Sequence, residues 1–511
     1  MDPSSRKLLI LGLDGFSPAL FRHLIDEGLL PYLGGLLDEG LFCRMRSTTP
    51  PNSIPAWICM AAGRNPGKVG LFDFLYKNGY SLKLVSSRLV RAEPIWSLLS
   101  EEGHKVGVVN VPGTYPPGGV RGFMVSGLMT PSSRECVYPR LLSRLLAREL
   151  RYYKLDVIEW AYFDEAQLIK DAILVARSRA RLTIKLTRLM EPDFLFLVFT
   201  TPDRIFHPLW ELIDPDSDRH LSRKKEKILR LLERYWLELD GLVAKIIEVF
   251  KPTLTFLVSD HGFGPKEATF FTNECLRRKG LLGLKKGLKP QAMISLCHIM
   301  AITYNALGET GIFYNLYFLA NKAVGLRKLW ECVVKYFDMA SLTHVDWSRT
   351  YAFSCAHTPV FNHVYINLAG REPKGAVPPR RYEDVRENVI GCIEDAGREY
   401  GARVKVYRRE EVYSGPYTGE APDILIEVGG GSVEFNPSLG FPYLLGPYFT
   451  DHKTTGTHRP YGIFLAHGPD LASNSAPREI SIYDVMPTAL AYYGLDIPGD
   501  VDGKPIRAVL G

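Results

Sequence analysis

The chain has 511 residues, 46% of them hydrophobic and 23% charged, which is the composition of a soluble globular protein with ample length for a core. This length predicts about three domains, or one large α/β domain that carries an insertion. The net charge of +6 is compatible with an anionic small-molecule substrate, but it is too low for the basic signature of a nucleic-acid-binding protein.

The first predicted element lies at residues 8–16, with the sequence LLILGLDGF. Its short, uninterrupted apolar run is typical of a buried parallel strand, and the run ends at Asp14 and Gly15. Helical patterns follow at residues 18–28, 30–40, 55–62 and 94–103, and strand patterns follow at residues 105–111 and 122–127. This alternation predicts a doubly wound α/β fold.

Two long amphipathic helical regions, residues 140–190 and 224–250, alternate with buried-strand runs at residues 193–200 and 253–259. The alternation returns past residue 346, with strand patterns near Tyr351 and at residues 364–368, 402–407, 423–428 and 462–466, helical patterns at residues 382–397 and 482–494, and a Gly/Pro-rich loop at residues 429–446. The second half of the chain therefore continues the α/β pattern of the first.

Residues 266–345 interrupt this alternation with a basic cluster followed by an apolar helical stretch. We interpret them as a helical insertion, or cap, between two parts of one α/β core, residues 1–265 and 346–511. No run reaches the roughly 18 apolar residues of a membrane-spanning helix. A membrane-surface contact through residues 277–324 is the minor alternative to packing on the core.

The eight cysteines are scattered, and no C-x-x-C pair occurs, so the sequence supports neither a zinc ribbon nor a thioredoxin-like motif. The first apolar run is typical of a strand and lacks the cleavage pattern of a signal peptide. We therefore expect a cytoplasmic protein.

Aspartate and histidine residues recur beside the predicted strands. They are Asp14, Asp203, His207, Asp260, His261 and His458. Open α/β sheets bind ligands at the carboxyl ends of their strands, and so these side chains are candidates for one site. Asp203 and His207 lie one helical turn apart and can chelate one ion. Mixed Asp and His ligation favours zinc, with manganese or another first-row ion as the alternative.

A pair of metal ions is the usual apparatus for displacement at phosphorus, and such a reaction needs an attacking group. Ser53 is the candidate nucleophile because it lies at the start of a predicted helix, where free N–H groups favour an anion. The alternative role of Ser53 is that of N-cap for the helix beginning near Pro55.

Five motifs carry a family resemblance. In chain order they are GLDGF (12–16), TTPPNSIPAW with AAGRNPGKVG (48–57 and 61–70), TPDRIFH (201–207), SDHGFGP (259–265) and TGTHRP (455–460). Together they resemble the alkaline phosphatase superfamily, and within it the type I phosphodiesterase/nucleotide pyrophosphatase branch in its prokaryotic, often archaeal form. The resemblance covers nearly the whole chain. It implies a three-layer α/β/α sandwich with a mostly parallel central sheet and a helical cap.

The resemblance also implies two metal sites, most simply for zinc. One is made by Asp203, His207 and His458, and the other by Asp14, Ser53, Asp260 and His261. The branch usually has threonine at the position of Ser53, and serine preserves the hydroxyl group. The implied chemistry is a pair of in-line steps through a covalent phosphoserine.

The chain departs from the family at the second half of the phosphoryl site. Related pyrophosphatases have an asparagine downstream of the nucleophile, whereas this chain has Asp73 or Phe74 there. An anionic Asp73 fits a diester better than a dianionic monoester. Arg64 and Lys68 are further candidates for substrate contact, with surface charge as their alternative role. Trp57 replaces the arginine of the sulfatase motif, which counts against a sulfatase.

The sequence thus predicts a metal-dependent hydrolase of phosphodiester or pyrophosphate bonds that acts on a small phosphodiester or nucleotide. The alternatives within the superfamily are a phosphomonoesterase and a transferase of a phosphoryl or lipid-headgroup unit, which only the stretch 277–324 supports. A non-catalytic binding protein is less favoured because the ligand set is complete. Specific nucleic-acid binding is not expected, and the oligomeric state is left open.

Overall fold

The structure is a computed structural model. It describes residues 6–133, 135–157, 164–216, 223–287, 295, 298, 342–355, 358, 360–446, 454–469, 471 and 477–510. Most of the helical insertion that the sequence predicts therefore lies outside the described residues.

The elements agree closely with the patterns found in the sequence. The strands are β1 (Leu8–Leu13), β2 (Leu41–Arg46), β3 (Leu75–Asn78), β4 (Ser81–Leu84), β5 (Val106–Val109), β6 (Gly122–Val125), β7 (Val137–Tyr138), β8 (Phe194–Phe199), β9 (Leu254–Val258), β10 (Gly262–Pro265), β11 (Ala268–Phe271), β12 (Ala352–Phe353), β13 (Phe361–Ile366), β14 (Val404–Arg408), β15 (Ile424–Val428), β16 (Val433–Asn436), β17 (Leu445–Gly446), β18 (Gly456–Arg459), β19 (Tyr461–His467) and β20 (Glu479–Ser481). The helices are α1 (Pro18–Asp26), α2 (Pro31–Glu39), α3 (Ser53–Ala62), α4 (Pro66–Val69), α5 (Ile95–Glu101), α6 (Arg140–Leu145), α7 (Ala147–Tyr152), α8 (Glu165–Met190), α9 (Thr201–Ile213), α10 (Arg223–Phe250), α11 (Thr272–Arg278), α12 (Tyr382–Glu399), α13 (Arg409–Val412) and α14 (Val485–Tyr493).

A nine-stranded sheet lies at the centre, in the order β20-β2-β19-β9-β1-β8-β5-β6-β7. Strand β1 is its middle strand, buried along its whole length, and runs parallel to both β8 and β9. The pairs β5–β8, β5–β6 and β2–β20 are also parallel, whereas β19 and β7 run antiparallel to their neighbours. The prediction of a mostly parallel central sheet is confirmed.

Separate hydrophobic clusters cover the opposite faces of this sheet. Leu9 and Leu11 of β1 pack in one cluster with α8, α9 and α10. Leu8 and Ile10 pack in the other with α3, α5 and α14. Neighbouring residues of a strand point to opposite faces of the sheet, so alternate side chains of β1 pack against the helices on either face. The three-layer α/β/α sandwich is therefore confirmed.

Two smaller sheets are formed by strands that lie between β9 and β19 in the chain. One has the order β12-β13-β15-β14 and another the order β16-β11-β17. Strands β16 and β17 lie within residues 429–446, so the prediction of one continuous loop there is wrong. The strands are short, and the glycines and prolines around them are typical of loops, so the sequence pattern did not indicate strands there.

The first residues of the predicted insertion belong to these sheets. Strand β11 pairs with β16 and β17, which come from the second part of the chain. No helix within the described part of the chain is long and apolar enough to cross a membrane. Most of residues 277–324 lie outside that part, and so the division of the chain at 266–345 and a membrane-surface contact there stay predictions.

Candidate metal centre and nucleophile

Three carboxylates converge at one edge of the central sheet. Strands β9, β1 and β8 are parallel neighbours, and therefore their carboxyl ends meet. Asp14 follows β1 directly, Asp260 follows the end of β9, and Asp203 lies in the first turn of α9, just after β8. All three side chains are buried.

Three histidines surround these carboxylates. His207 lies one turn after Asp203 on α9, and His261 follows the end of β9. His458 lies on β18, which pairs with β10 so that His458 stands opposite Phe263. The structure thus brings together all six Asp and His residues that the sequence singled out, and their ligation of metal stays a prediction.

Backbone carbonyl oxygens fix the orientation of each imidazole. The contacts are His207 Nδ1 to Gly456 O at 3.3 Å, His261 Nδ1 to Gly262 O at 3.0 Å and His458 Nδ1 to Pro51 O at 2.9 Å. A carbonyl oxygen only accepts hydrogen bonds, so in the neutral rings Nδ1 carries the proton and Nε2 presents a lone pair. Metal-ligating histidines are held in this way.

The Nε2 atoms face the carboxylates. His261 Nε2 lies 3.4 Å from both Asp14 Oδ1 and Asp260 Oδ2, and 4.0 Å from Asp203 Oδ1. His207 Nε2 and His458 Nε2 lie 3.6 and 3.3 Å from Asp203 Oδ1 and 3.3 Å from each other. These distances leave Asp203 Oδ1 central to the three rings.

The side chains present fit divalent cations. Asp14 Oδ1, Asp203 Oδ1 and both carboxylate oxygens of Asp260 are buried without a hydrogen-bond partner in the described chain. Buried charges left unpaired are costly, and a cation among them removes the cost. Donor atoms lie within 4.8 Å of one another in two groups, Asp203–His261–His458 and Asp14–Asp260–His261. Carboxylate oxygen with imidazole nitrogen suits zinc or another first-row ion.

The protonation equilibria of the centre point the same way. Burial, followed by the neighbouring carboxylates, raises the pKa of Asp14 and of Asp260 well above the usual range. Burial lowers the pKa of His207 to about 4 and that of His261 well below its usual value. The imidazoles of His207 and His261 are therefore neutral near pH 7, as metal ligation requires.

Ser53 is the first residue of α3, and its Oγ lies 3.2 Å from His261 Nε2. The N-cap of this helix is Asn52, and the first helical hydrogen bond runs from Ala56 N–H to Asn52 O. The alternative role of Ser53 as N-cap is therefore wrong. The N–H groups of Ser53 and Ile54 precede that first bond, at the positive end of the helix.

A family model described as type I phosphodiesterase / nucleotide pyrophosphatase matches residues 8–458. The chain belongs to this family. The resemblance that the five motifs carried is confirmed, and the match runs from the first strand to His458. As a family member the protein is an enzyme of the phosphodiesterase/pyrophosphatase class, and the family acts on small nucleotide or phosphodiester substrates.

Solved structures share the fold over nearly the whole chain. An inactive variant of murine ectonucleotide pyrophosphatase/phosphodiesterase 5, in complex with AMP, is 12% identical with a TM-score of 0.53, over 99% of this chain and 100% of that chain. The human protein of the same name is 14% identical, with a TM-score of 0.52 and 99% of each chain covered. Phosphonoacetate hydrolase from Sinorhizobium meliloti 1021, in complex with phosphonoformate, is 13% identical, with a TM-score of 0.54 and 96% of each chain covered. Comparison with the curated proteins gives no significant match.

In this family member, a hydrogen bond from Trp57 fixes the orientation of the Asp14 carboxylate. Trp57 Nε1 donates a hydrogen bond to Asp14 Oδ2 at 3.2 Å, which leaves Oδ1 facing the centre. The indole packs against β1 at Gly12, where a Cβ atom would lie 2.3 Å from Trp57 Cη2. Gly12 is therefore needed for the close approach of the indole to the strand.

Arg204 holds Asp203 in the same manner. It donates to Asp203 Oδ2 at 3.2 Å and, through Nε and its second Nη, to Asp156 Oδ2 at 3.0 and 2.9 Å. Burial alone would raise the pKa of Asp203, but His207, His458 and Arg204 together lower it below the usual range. Asp203 is thus a carboxylate with one oxygen fixed and the other facing the imidazoles.

Arg64 and Lys68, the proposed substrate contacts, are engaged with the C-terminal segment. Arg64 Nε donates to Asp500 at 2.8 Å, and Lys68 Nζ donates to Asp502 at 2.5 Å. The described contacts join neither residue to the metal centre. Their role toward substrate stays a prediction, and the ion pairs tie the segment between α3 and α4, and α4 itself, to the C-terminal segment.

Asp73 lies beside the start of α3. It accepts hydrogen bonds from Asn52 Nδ2 at 3.1 Å and from Phe74 N–H at 2.7 Å. Its second oxygen lies 3.3 Å from His363 Nδ1, on β13. No sequence motif or spacing signals the pairing of His363 with Asp73.

Proposed function

We propose that this protein hydrolyses phosphodiester or pyrophosphate bonds at a centre of two divalent metal ions, with Ser53 as the nucleophile. The observation that carries the proposal is the convergence of three buried, incompletely paired carboxylates, three Nε2-presenting histidines and the Ser53 hydroxyl. The sequence supplies this set at strand ends far apart in the chain. Only the fold makes it one site.

Asp203, His207 and His458 would hold one ion, and Asp14, Ser53, Asp260 and His261 the other. His261 lies near both sets and so would stand at the boundary between them. Zinc is the expected metal and manganese the alternative, since oxygen and nitrogen donors are mixed. When bound, such ions lower the pKa of a coordinated hydroxyl and stabilise negative charge at phosphorus.

Ser53 Oγ attacks phosphorus after loss of its proton, and an Oγ–P bond forms while the bond to the leaving alcohol or phosphate breaks and that group takes up a proton. Water then attacks the phosphoserine, which releases phosphate or its monoester and restores the serine hydroxyl. The N–H groups of Ser53 and Ile54 are placed to donate to a phosphoryl oxygen at the helix start.

The test is to measure bound metal and turnover of p-nitrophenyl phosphate, its bis ester and the thymidine ester. We expect about two ions per chain, activity that is lost with chelator, and none in Ser53→Ala. Ser53→Thr is the matched control, because it keeps the hydroxyl group, and it should retain turnover. Full activity in Ser53→Ala, or in the metal-free protein, would refute the mechanism.

The alternative activities are transfer of the phosphoryl group to an alcohol instead of water, and hydrolysis of phosphomonoesters. A cytoplasmic location is a further proposal. Transfer predicts that added alcohol acceptors yield phosphorylated alcohol, and a lipid acceptor predicts cosedimentation with liposomes that deletion of residues 277–324 abolishes. Cell fractionation tests the location.

A further inference from the structure

A buried carboxylate lies next to the helix that carries the nucleophile. Asp73 accepts hydrogen bonds from Asn52 Nδ2 and Phe74 N–H, at 3.1 and 2.7 Å. Asn52 immediately precedes Ser53, and so one side chain separates Asp73 from the residue that attacks phosphorus. Asp73 is only 7% exposed, and its charge is therefore weakly screened by solvent.

The second oxygen of Asp73 faces His363, whose Nδ1 lies 3.3 Å away. His363 Nε2 and Asn52 Oδ1 have no hydrogen-bond partner in the described part of the chain. Both residues are almost fully buried, at 2% and 0% exposure. Unsatisfied polar atoms in such surroundings are costly, and a pair of them on either side of one carboxylate indicates a place that a polar ligand completes.

Asp73 also borders open space. A cavity of about 350 Å³ is lined by Asp73 together with Phe72, Tyr76 and Tyr365. The carboxylate therefore lies between the start of α3 and this cavity. It is not sealed into the core.

We propose that Asp73, held by Asn52 and His363, makes the site selective for singly charged phosphodiesters over doubly charged phosphomonoesters. The inference rests on the proposed function. A monoester phosphate carries about 1.5 to 2 negative charges at neutral pH, whereas a diester carries one. The additional charge is repelled by a buried carboxylate that is hydrogen-bonded to the residue before Ser53. Asp73 determines specificity, and His363 is a positioning residue that acts through it.

The test compares kcat/KM for bis(p-nitrophenyl) phosphate with kcat/KM for p-nitrophenyl phosphate. Asp73→Asn removes the charge and keeps a carbonyl oxygen for the Asn52 amide. We expect the diester-to-monoester ratio to fall about tenfold, mainly because the monoester is used better. Glu420→Gln is the control, since Glu420 lines the same cavity and lacks the bond to Asn52, and its ratio should not change.

His363 is tested by two substitutions. His363→Asn keeps an N–H donor near the position of Nδ1 and should keep the wild-type ratio. His363→Ala frees Asp73 and should move the ratio towards that of Asp73→Asn. Thermal unfolding and metal content show whether each variant is folded and loaded.

An unchanged ratio in folded Asp73→Asn would overturn the inference. A wild-type enzyme that uses the monoester better than the diester would also overturn it, whether or not the variants fold. By contrast, a wild-type protein that turns over neither ester refutes the proposed function, so the two failures are distinct.

Discussion

At the scale of single residues, two of the three carboxylates in the centre share one design. Trp57 fixes one oxygen of Asp14 and Arg204 fixes one oxygen of Asp203, while the other oxygen of each is buried and lacks a hydrogen-bond partner in the described chain. A donor behind a carboxylate limits its rotation and aims the free oxygen. The orientation of these two carboxylates is thus set by the protein itself.

Trp57→Phe tests this design at Asp14. The phenyl ring keeps most of the packing against Gly12 but removes the indole N–H donor, so we expect metal affinity to fall about 10- to 100-fold while the fold is kept. Competition with a chromogenic chelator measures the affinity. Trp96→Phe is a matched control because Trp96 packs in the same hydrophobic cluster without contacting Asp14. Equal affinities in both variants would contradict the expectation.

At the scale of elements, the sequence predicted the strands that precede Asp14, Asp203 and Asp260 but not the strand that carries His458. The runs that became β1, β8 and β9 are short and almost entirely apolar, which is typical of strands buried on both faces. Strands β10 and β18 read GFGP and GTHR, and each exists only because it pairs with the other. The motif therefore indicated His458 as a candidate ligand, whereas the two-stranded β10–β18 sheet that carries it was not predicted.

Arg204 links the first turn of helix α9 to Asp156, and its substitution tests whether this link supports Asp203. Arg204→Gln removes the charge and most of the hydrogen bonds to both carboxylates, so Asp203 gains freedom. We expect metal affinity to fall about 10- to 100-fold. Asp156→Asn should act in the same direction more weakly, as it loosens only Arg204.

Metal content after dialysis against graded chelator measures this change. Arg177→Gln, which breaks a largely exposed pair with Glu238 on the neighbouring helices, is the control and should leave the metal content unchanged. Retention of both ions by Arg204→Gln at wild-type affinity would show that Asp203 needs no support.

At the scale of the whole molecule, the contacts hidden from the sequence join parts of the chain that the fold alone brings together. Asp73, in the segment between α4 and β3, meets His363 on β13 of the β12-β13-β15-β14 sheet. Arg64 and Lys68 meet the C-terminal segment. Motifs reveal residues that share a chemistry, but such pairs arise from packing and carry no fixed spacing. For this reason the sequence indicated the candidate ligands but not the residues that support them.

The charge balance of the whole centre predicts coupling between metal binding and protons. In the metal-free protein the pKa values of Asp14 and Asp260 are raised, so these groups hold protons at higher pH than free carboxylates do. A metal needs the ionised form, and binding therefore releases protons and becomes tighter as pH rises towards the raised pKa values. His207, with its pKa of about 4, is already neutral near pH 7 and releases none.

Titration calorimetry of zinc binding in buffers of different ionisation enthalpy counts these protons. Asp260→Asn should release fewer than the wild type, and His207→Gln should release the same number at neutral pH. Binding without proton release in the wild type would mean that the carboxylates are already ionised in the metal-free protein.

His458 Nδ1 and Pro51 O lie within hydrogen-bonding distance, although 407 positions of sequence separate the two residues. Chains emerge from the ribosome N-terminus first, and contacts of such long range form late. Asp14 and Ser53 are therefore synthesised well before His458, the histidine that completes the group of side chains around them. We therefore expect the candidate metal centre to be complete only once the C-terminal part of the chain has folded onto the central sheet.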